Sequence, residues 1–253
     1  MTVHQGPRPP NLELDTIAAH LEGLEETIIA RLIDRAQFRV NERIYQPGES
    51  GFAGEPAQSL FHVRLRFQER MDAQFGRFCV PEERPFFRRL PKPRRRMALP
   101  DTGLRIDDVN LVNVMAAIAE RYLELIPRIC APGDDGHYGS SVEHDVYAMQ
   151  AIGRRVHYGA LYVTESKFRD SPDEFAALAA AGDRERIIAR LTREEVENRI
   201  VERTREKVIT AQLKVNPNVR HCIDPGVIAE FYKTAIVPLT KKGEVLYLMN
   251  RMK

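Results

Sequence analysis

The chain has 253 residues and 43% hydrophobic content, enough to bury a core as one large domain or two small ones. Aromatic residues make up only 8% and Trp is absent, while Ala, Leu, Ile, Arg and Glu dominate, so an all-α fold is expected. Lysine and arginine number 38 against 36 acids, and the net charge of +2 gives no general reason to bind nucleic acid or an acidic membrane; any anion must be gripped locally. Cys79, Cys130 and Cys222 are odd in number and far apart, which argues against a disulfide framework or a CxxC metal site and suits a reducing cytoplasm. The N-terminal sequence has no apolar targeting segment, and no run approaches the roughly 20 apolar residues of a membrane span.

In chain order, Leu14, Ile17, Leu21, Leu24, Ile28 and Leu32 recur at steps of three and four, predicting a long amphipathic helix from Leu14 to Phe38 after a flexible arm at 1–11. Turn residues from Gln46 to Pro56 break the pattern, and a second helix is expected over Ser59 to Phe78. Val80 to Thr102 is rich in Pro and Arg and reads as loop. A helix follows from Asp107 to Ile129, stopped at Pro132-Gly133, and then one containing Arg155. A short helix opens at Ser171-Pro172, and another runs from Thr192 to about Gln212; Ser171 and Thr192 each have a Glu three residues on, the arrangement of a capping box. Asp224-Pro225-Gly226 opens the last helical region, which Pro238 is expected to interrupt before Thr240 to Met252 continue. No β-alternation, internal repeat or interdomain linker is evident, so 1–253 reads as a single domain of packed helices.

Several polar residues carry possible chemistry. The stretch from Gly139 to Phe168 sets a glycine-serine turn ahead of a helix with Arg154, Arg155 and Lys167, cations suited to a small polyanion. Arg193 and Glu197 are four apart and share a helix face, as do Thr240 and Glu244 beside Lys241 and Lys242. Taken singly, each reads as ordinary solvated surface. His137, His144, His157 and His221 lack metal-ligand spacing, so no metal is expected. No GxGxxG, Walker loop or GxSxG motif is present. The basic run Arg94 to Arg96 lacks interleaved aromatics and reads as a solvated or interface loop.

Taken together, the strings GS…RRVHYG…VTESKF (139–168), LTREEVENRI (191–200) and IVPLTKKGEVLYLMNR (236–251) resemble, in order and spacing, the eukaryotic-type all-helical chorismate mutases. So do LEGLEETIIARLIDRAQF (21–38) and PEERPFF (81–87), and the likeness spans nearly the whole chain. The resemblance implies a homodimer, no cofactor, and rearrangement of the dicarboxylate chorismate to prephenate by a pericyclic step. Such an enzyme holds the diacid in its compact diaxial shape and meets the charge that grows on the ether oxygen as the C–O bond breaks. By matching position, Arg155 and Thr240 would bind carboxylates, Lys167 and Glu244 would donate to the ether oxygen, and Glu197 would accept from the hydroxyl. Because a carboxylate cannot donate, Glu244 would have to be protonated.

Three departures from the family qualify this expectation. The family's early arginine clamp is Ala18 here, and Arg193, standing where the family has Asn, is expected to supply the missing guanidinium or else merely to pair with Glu197. The family separates its helix Arg and Lys by eleven residues; Arg155 and Lys167 are twelve apart, which adds roughly 100° on an ideal helix, so a π-bulge near Gly159 to Tyr162 is expected to redirect Lys167. Family members bind aromatic amino acids at the dimer interface through paired arginines and a Gly-Ser-x-x-Thr turn. Arg77, Gly139 and Ser140 match this effector site, but Gly76 and Glu143 do not, so feedback by Tyr or Trp is expected to be weak, absent or altered. Two alternatives stay open: a lyase or mutase acting on an analogue such as isochorismate, and a non-catalytic chorismate-binding regulatory subunit.

Overall fold

A computed structural model describes residues 9–252; among them there are ten α-helices and no strand. The first four helices are α1 (Leu14–Arg35), α2 (Leu60–Gln74), α3 (Met115–Ile129) and α4 (Tyr138–Tyr158). Then come α5 (Thr164–Asp170), α6 (Pro172–Ala181), α7 (Arg184–Leu191), α8 (Glu194–Gln212), α9 (Pro225–Phe231) and α10 (Val237–Asn250). Helix α4 is the axis: α1, α2, α3 and α10 all pack on it, and Val142, Val146, Met149, Ile152 and Val156 are buried along its length. A helix apolar on more than one side is stable only when surrounded in this way. Its core includes Ile28, Leu32, Phe61, Leu65, Ile118, Tyr122, Ile228 and Ile236, and a smaller cluster of Phe168, Phe175, Leu178, Ile187, Leu191, Val245 and Leu248 joins α5, α6 and α7 to α10.

Helix α1 stops at Arg35, a turn short of the expected Phe38. The Arg35 guanidinium is fully buried and donates to the carbonyls of Phe38, Arg39 and Val40, which curls the chain off the helix axis. Its Nε lies 2.6 Å from Asp145 on α4, whose carboxylate also accepts from Tyr45 and Tyr122, so the pair is buried but fully hydrogen-bonded.

Neither expected capping box forms. Ser171 makes no capping bond, and the Thr192 hydroxyl donates back to the Ile188 carbonyl at the end of α7, leaving Arg193 as the N-cap of α8. Helix α7 is the cause, and it is not among the sequence-based expectations. Gly182 (φ +68°) ends α6 and the Asp183 side chain caps α7, a stop signal and a start signal side by side. The arm expected over 1–11 lies largely outside the described residues; Pro10–Leu12 form a 3-10 turn, and Leu12 is fully buried.

Candidate active site

Two π-helical segments set the geometry of the site. The first, Gly159–Val163, joins α4 to α5 in one continuous rod. A π turn holds an extra residue, so it absorbs the twelfth residue between Arg155 and Lys167 and returns both side chains to one region. The second, Tyr232–Ile236, joins α9 to α10 and was not foreseen. It corrects the expected break at Pro238, which instead sits in the first turn of α10 directly after the π segment, whose wider turn lets the helical chain run through the proline. Gly243 of α10 packs on the first π segment, where a Cβ would stand 2.6 Å from that of Ala160.

Arg155, at the end of α4, is 3% exposed. Its Nη1 donates to the Thr240 hydroxyl at 3.2 Å, its Nη2 lies 3.9 Å from Glu25, and its buried Nε has no hydrogen-bond partner. Thr240 donates to the Ile236 carbonyl, which turns its lone pairs toward Arg155. Lys167 donates to the Leu191 carbonyl at 2.7 Å, and burial draws its pKa down against the opposing pull of Glu244. Glu244 is 6% exposed, and burial pushes its carboxyl up to about 7, against the cations of Lys167, Lys241 and Arg155. Arg155, Lys167, Glu197, Thr240 and Glu244 therefore converge from α4, α5, α8 and α10.

Arg193 is exposed at the start of α8, close enough to depress the Lys167 pKa. It does not take Glu197 as its partner. The Lys241 ammonium does so, at 2.8 and 2.9 Å from the two carboxylate oxygens. Lys241 is the site residue that sequence reasoning passed over, although its position three residues before Glu244 puts those two on one face of α10. Glu25, two turns beyond Ala18, is completely buried and is neutralised by Arg203 at 2.7 and 2.9 Å and by Lys207 at 3.4 Å. The pocket thus offers an unsatisfied guanidinium N–H, an ammonium and a carboxyl that keeps its proton to near neutrality. Such a set can bind a small dianion and donate to an oxygen that becomes negative.

No protein-family model matches the chain. The chloroplastic chorismate mutase 1 of Zea mays is 37% identical over 254 residues, 95% of this chain and 79% of that protein. The chorismate mutase of Emericella nidulans is also 37% identical, over 96% of this chain and 93% of that one. The chain belongs to the chorismate mutase family. The crystal structure of the Candida albicans chorismate mutase in complex with L-Trp superposes with a TM-score of 0.87 at 30% identity, covering 95% of this chain and 92% of that one.

In this chorismate mutase family member, the residues expected as an effector-site remnant have other partners or surroundings. Arg77 is held by Asp72, Glu83 and Gln150, at 3.2, 2.9 and 2.6 Å. Gly76 has φ +84°, a conformation that strains any L side chain, and a Cβ there would stand 2.8 Å from the Met97 sulfur, so an arginine would bring backbone strain and a shift of the Met97 side chain. Gly139 and Ser140 lie in the first turn of α4, but Glu143 in the following turn adds a carboxylate, 3.3 Å from Arg64. Among the described residues, no helix is long and apolar enough to cross a membrane, and no group of three or more His, Cys, Asp or Glu could hold a metal ion.

Proposed function

We propose that the chain, as a single helical domain, catalyses the rearrangement of chorismate to prephenate in aromatic amino acid biosynthesis. Arg155 binds one substrate carboxylate through its free Nε and its Nη1, with Thr240 beside it. Lys167 and the protonated carboxyl of Glu244 donate to the ether oxygen, and their pull strengthens as charge develops there. Glu197 accepts from the ring hydroxyl, for which Lys241 must loosen its grip and turn toward the second carboxylate. Lys241 and Arg193 together take over the clamp that Ala18 cannot provide. The pericyclic step asks nothing more of the protein than shape, charge and exclusion of water.

The observation that carries this reading is a carboxyl raised to about 7 beside a half-buried ammonium and a buried arginine with a spare N–H. The test is to incubate the purified protein with chorismate, follow the loss of its diene absorbance, and convert the product to phenylpyruvate with acid. Prephenate supports the assignment; pyruvate would replace it with a lyase, and no consumption with a binding subunit. The exposed apolar residues Phe67, Met71 and Phe75 along α2, with Phe52 against Phe67, favour burial against a second copy. A cytoplasmic homodimer is proposed, with chorismate as its small-molecule partner, and light scattering on the purified protein tests the dimer.

A further inference from the structure

Helices α5 and α10 carry the two groups assigned to the ether oxygen, Lys167 and Glu244, and they meet at a buried ion cluster that the proposed mechanism does not use. The Glu165 carboxylate at its centre is completely buried. Arg251, just past the end of α10, grips it with two N–H groups, Nε at 2.7 Å from Oε2 and Nη2 at 3.1 Å from Oε1. The Tyr247 hydroxyl of α10 donates to Oε2 at 2.8 Å, and Arg169 donates to Oε1 at 3.0 Å. The same Arg251 guanidinium lies 3.6 Å from the centre of the Phe168 ring. Arg105 closes the cluster: its N–H donates to the Tyr247 hydroxyl at 3.0 Å, and its carbonyl accepts from the Met252 N–H at 2.9 Å. A buried ion cluster adds little stability over apolar packing, but its bonds are satisfied in one geometry.

Sequence spacing ties this cluster to the site. On α5, Glu165 and Phe168 are three apart and share a face, while Lys167, two residues from Glu165, points away from it. On α10, Glu244, Tyr247 and Arg251 recur at steps of three and four, so the face that carries the Glu244 carboxyl also carries two donors to Glu165. We propose that Arg251 is a positioning residue: by holding Glu165 and Phe168 on either side of Lys167, it fixes where the Lys167 ammonium stands relative to the Glu244 carboxyl. Arg251 acts through these groups and does not touch substrate. Its effect on rate rests on the roles proposed for Lys167 and Glu244, whereas the clasp itself does not. When the clasp loosens, α5 and α10 part, water enters, and the two donors no longer converge on one oxygen. Substrate binding through Arg155, which is anchored in α4, is little affected, so turnover falls while KM is nearly kept.

Steady-state kinetics of the full chain test this with Arg251→Lys, which keeps the charge but not the fork, and with the milder Tyr247→Phe, which removes one hydrogen bond to Glu165. The expected result is kcat lowered about tenfold or more in Arg251→Lys, and by less in Tyr247→Phe, with KM within about twofold of the parent. Ile118→Val, a core change in α3, controls for lost stability and should leave kcat unchanged. Circular dichroism checks that the variants fold; if Arg251→Lys does not, Tyr247→Phe carries the test. A second readout needs no substrate. The Glu244 carboxyl, raised to about 7 by burial against the cations of Lys167, Lys241 and Arg155 and beside Glu197, should titrate nearer its ordinary 4.5 in both clasp variants, because burial is the largest influence on it. Carbon-13 NMR of carboxyl-labelled glutamates, assigned with Glu244→Gln, measures this. Unchanged kcat, a raised KM with kcat kept, an equal loss of kcat in Ile118→Val, or a Glu244 titration that stays at about 7 in the folded clasp variants would each overturn the proposal. If the parent consumes no chorismate, the proposed function falls and the NMR titration alone decides the clasp.

Discussion

Glu244→Gln separates the proton of Glu244 from every other feature of the pocket. The carboxyl is raised from 4.5 to about 7 by burial. Between those values the folded protein holds a proton that the unfolded chain has released, so this group's contribution to stability falls as pH rises from about 4.5 and levels off above about 7. At about 1.4 kcal/mol per pH unit, the loss is at most about 3.5 kcal/mol. Glutamine has the same shape and carries N–H donors at any pH. Urea unfolding at pH 5 and pH 8.5 should therefore show the variant gaining on the parent by about 2–3 kcal/mol between the two. Glu69 is also raised to about 7, but it is present in both proteins and cancels in the difference. In kinetics, kcat/KM of the parent should drop about tenfold per pH unit above about 7, while the variant stays active until Lys167 loses its proton. The reasoning fails if the variant keeps a falling limb near 7, or if it is inactive at all pH values while folded.

Arg155→Lys keeps a positive charge but loses the planar fork, and kcat/KM should fall roughly 30- to 150-fold, about 2–3 kcal/mol of transition-state stabilisation, in steady-state assays. Lys241→Ala and Arg193→Ala divide the replacement clamp between its two members: both should raise KM, and only Lys241→Ala, which frees Glu197 from its partner, should also change the pH dependence of substrate binding. Gly243→Ala would drive a methyl group into Ala160 across the contact between α10 and the first π segment. We expect it to cost about 1–3 kcal/mol in thermal or urea unfolding and to lower kcat by displacing Glu244. An unchanged melting curve would show that the two elements can separate freely.

Local pattern made the fold legible where a helix has one apolar stripe and a clear terminator, as in α1 and at the end of α3; the expected start of α3 at Asp107 is instead a 3-10 turn over Val109–Val112, and the α-helix opens only at Met115. The first π segment was legible for a different reason: a spacing of twelve cannot place Arg155 and Lys167 together on a regular α-helix, so the function required an irregularity that the structure contains. The second was hidden because Pro238 sends the same local signal whether it breaks a helix or opens one. Helix α7 was missed although Gly182 and Asp183 mark its boundary, because eight residues hold too few apolar positions to show a period. The partner of Glu197 was beyond reach of local rules. Four-residue spacing nominates Arg193, but the pair that forms reaches 44 residues along the chain to Lys241.

That substitution of partners bears on what the loss of arginine at Ala18 means. Arg155 is the innermost cation of the pocket, and its nearest acid, Glu25, is already satisfied by Arg203 and Lys207, so the Arg155 charge remains available for a substrate anion. Lys241 is tied to Glu197 in a half-buried pair, and Arg193 stands in solvent. A substrate that engages Lys241 must therefore exchange one charge-assisted bond for another, which yields little net energy, and one that engages Arg193 gains only a screened interaction. Neither equals a preorganised guanidinium. On the proposed roles the consequence falls on binding rather than on the chemical step, because the groups assigned to the developing charge, the half-buried Lys167 and the buried Glu244, do not depend on position 18. With the proposed roles, the pocket is expected to keep its turnover rate while holding its substrate more loosely than one with arginine at position 18, and Ala18→Arg should lower KM with little change in kcat.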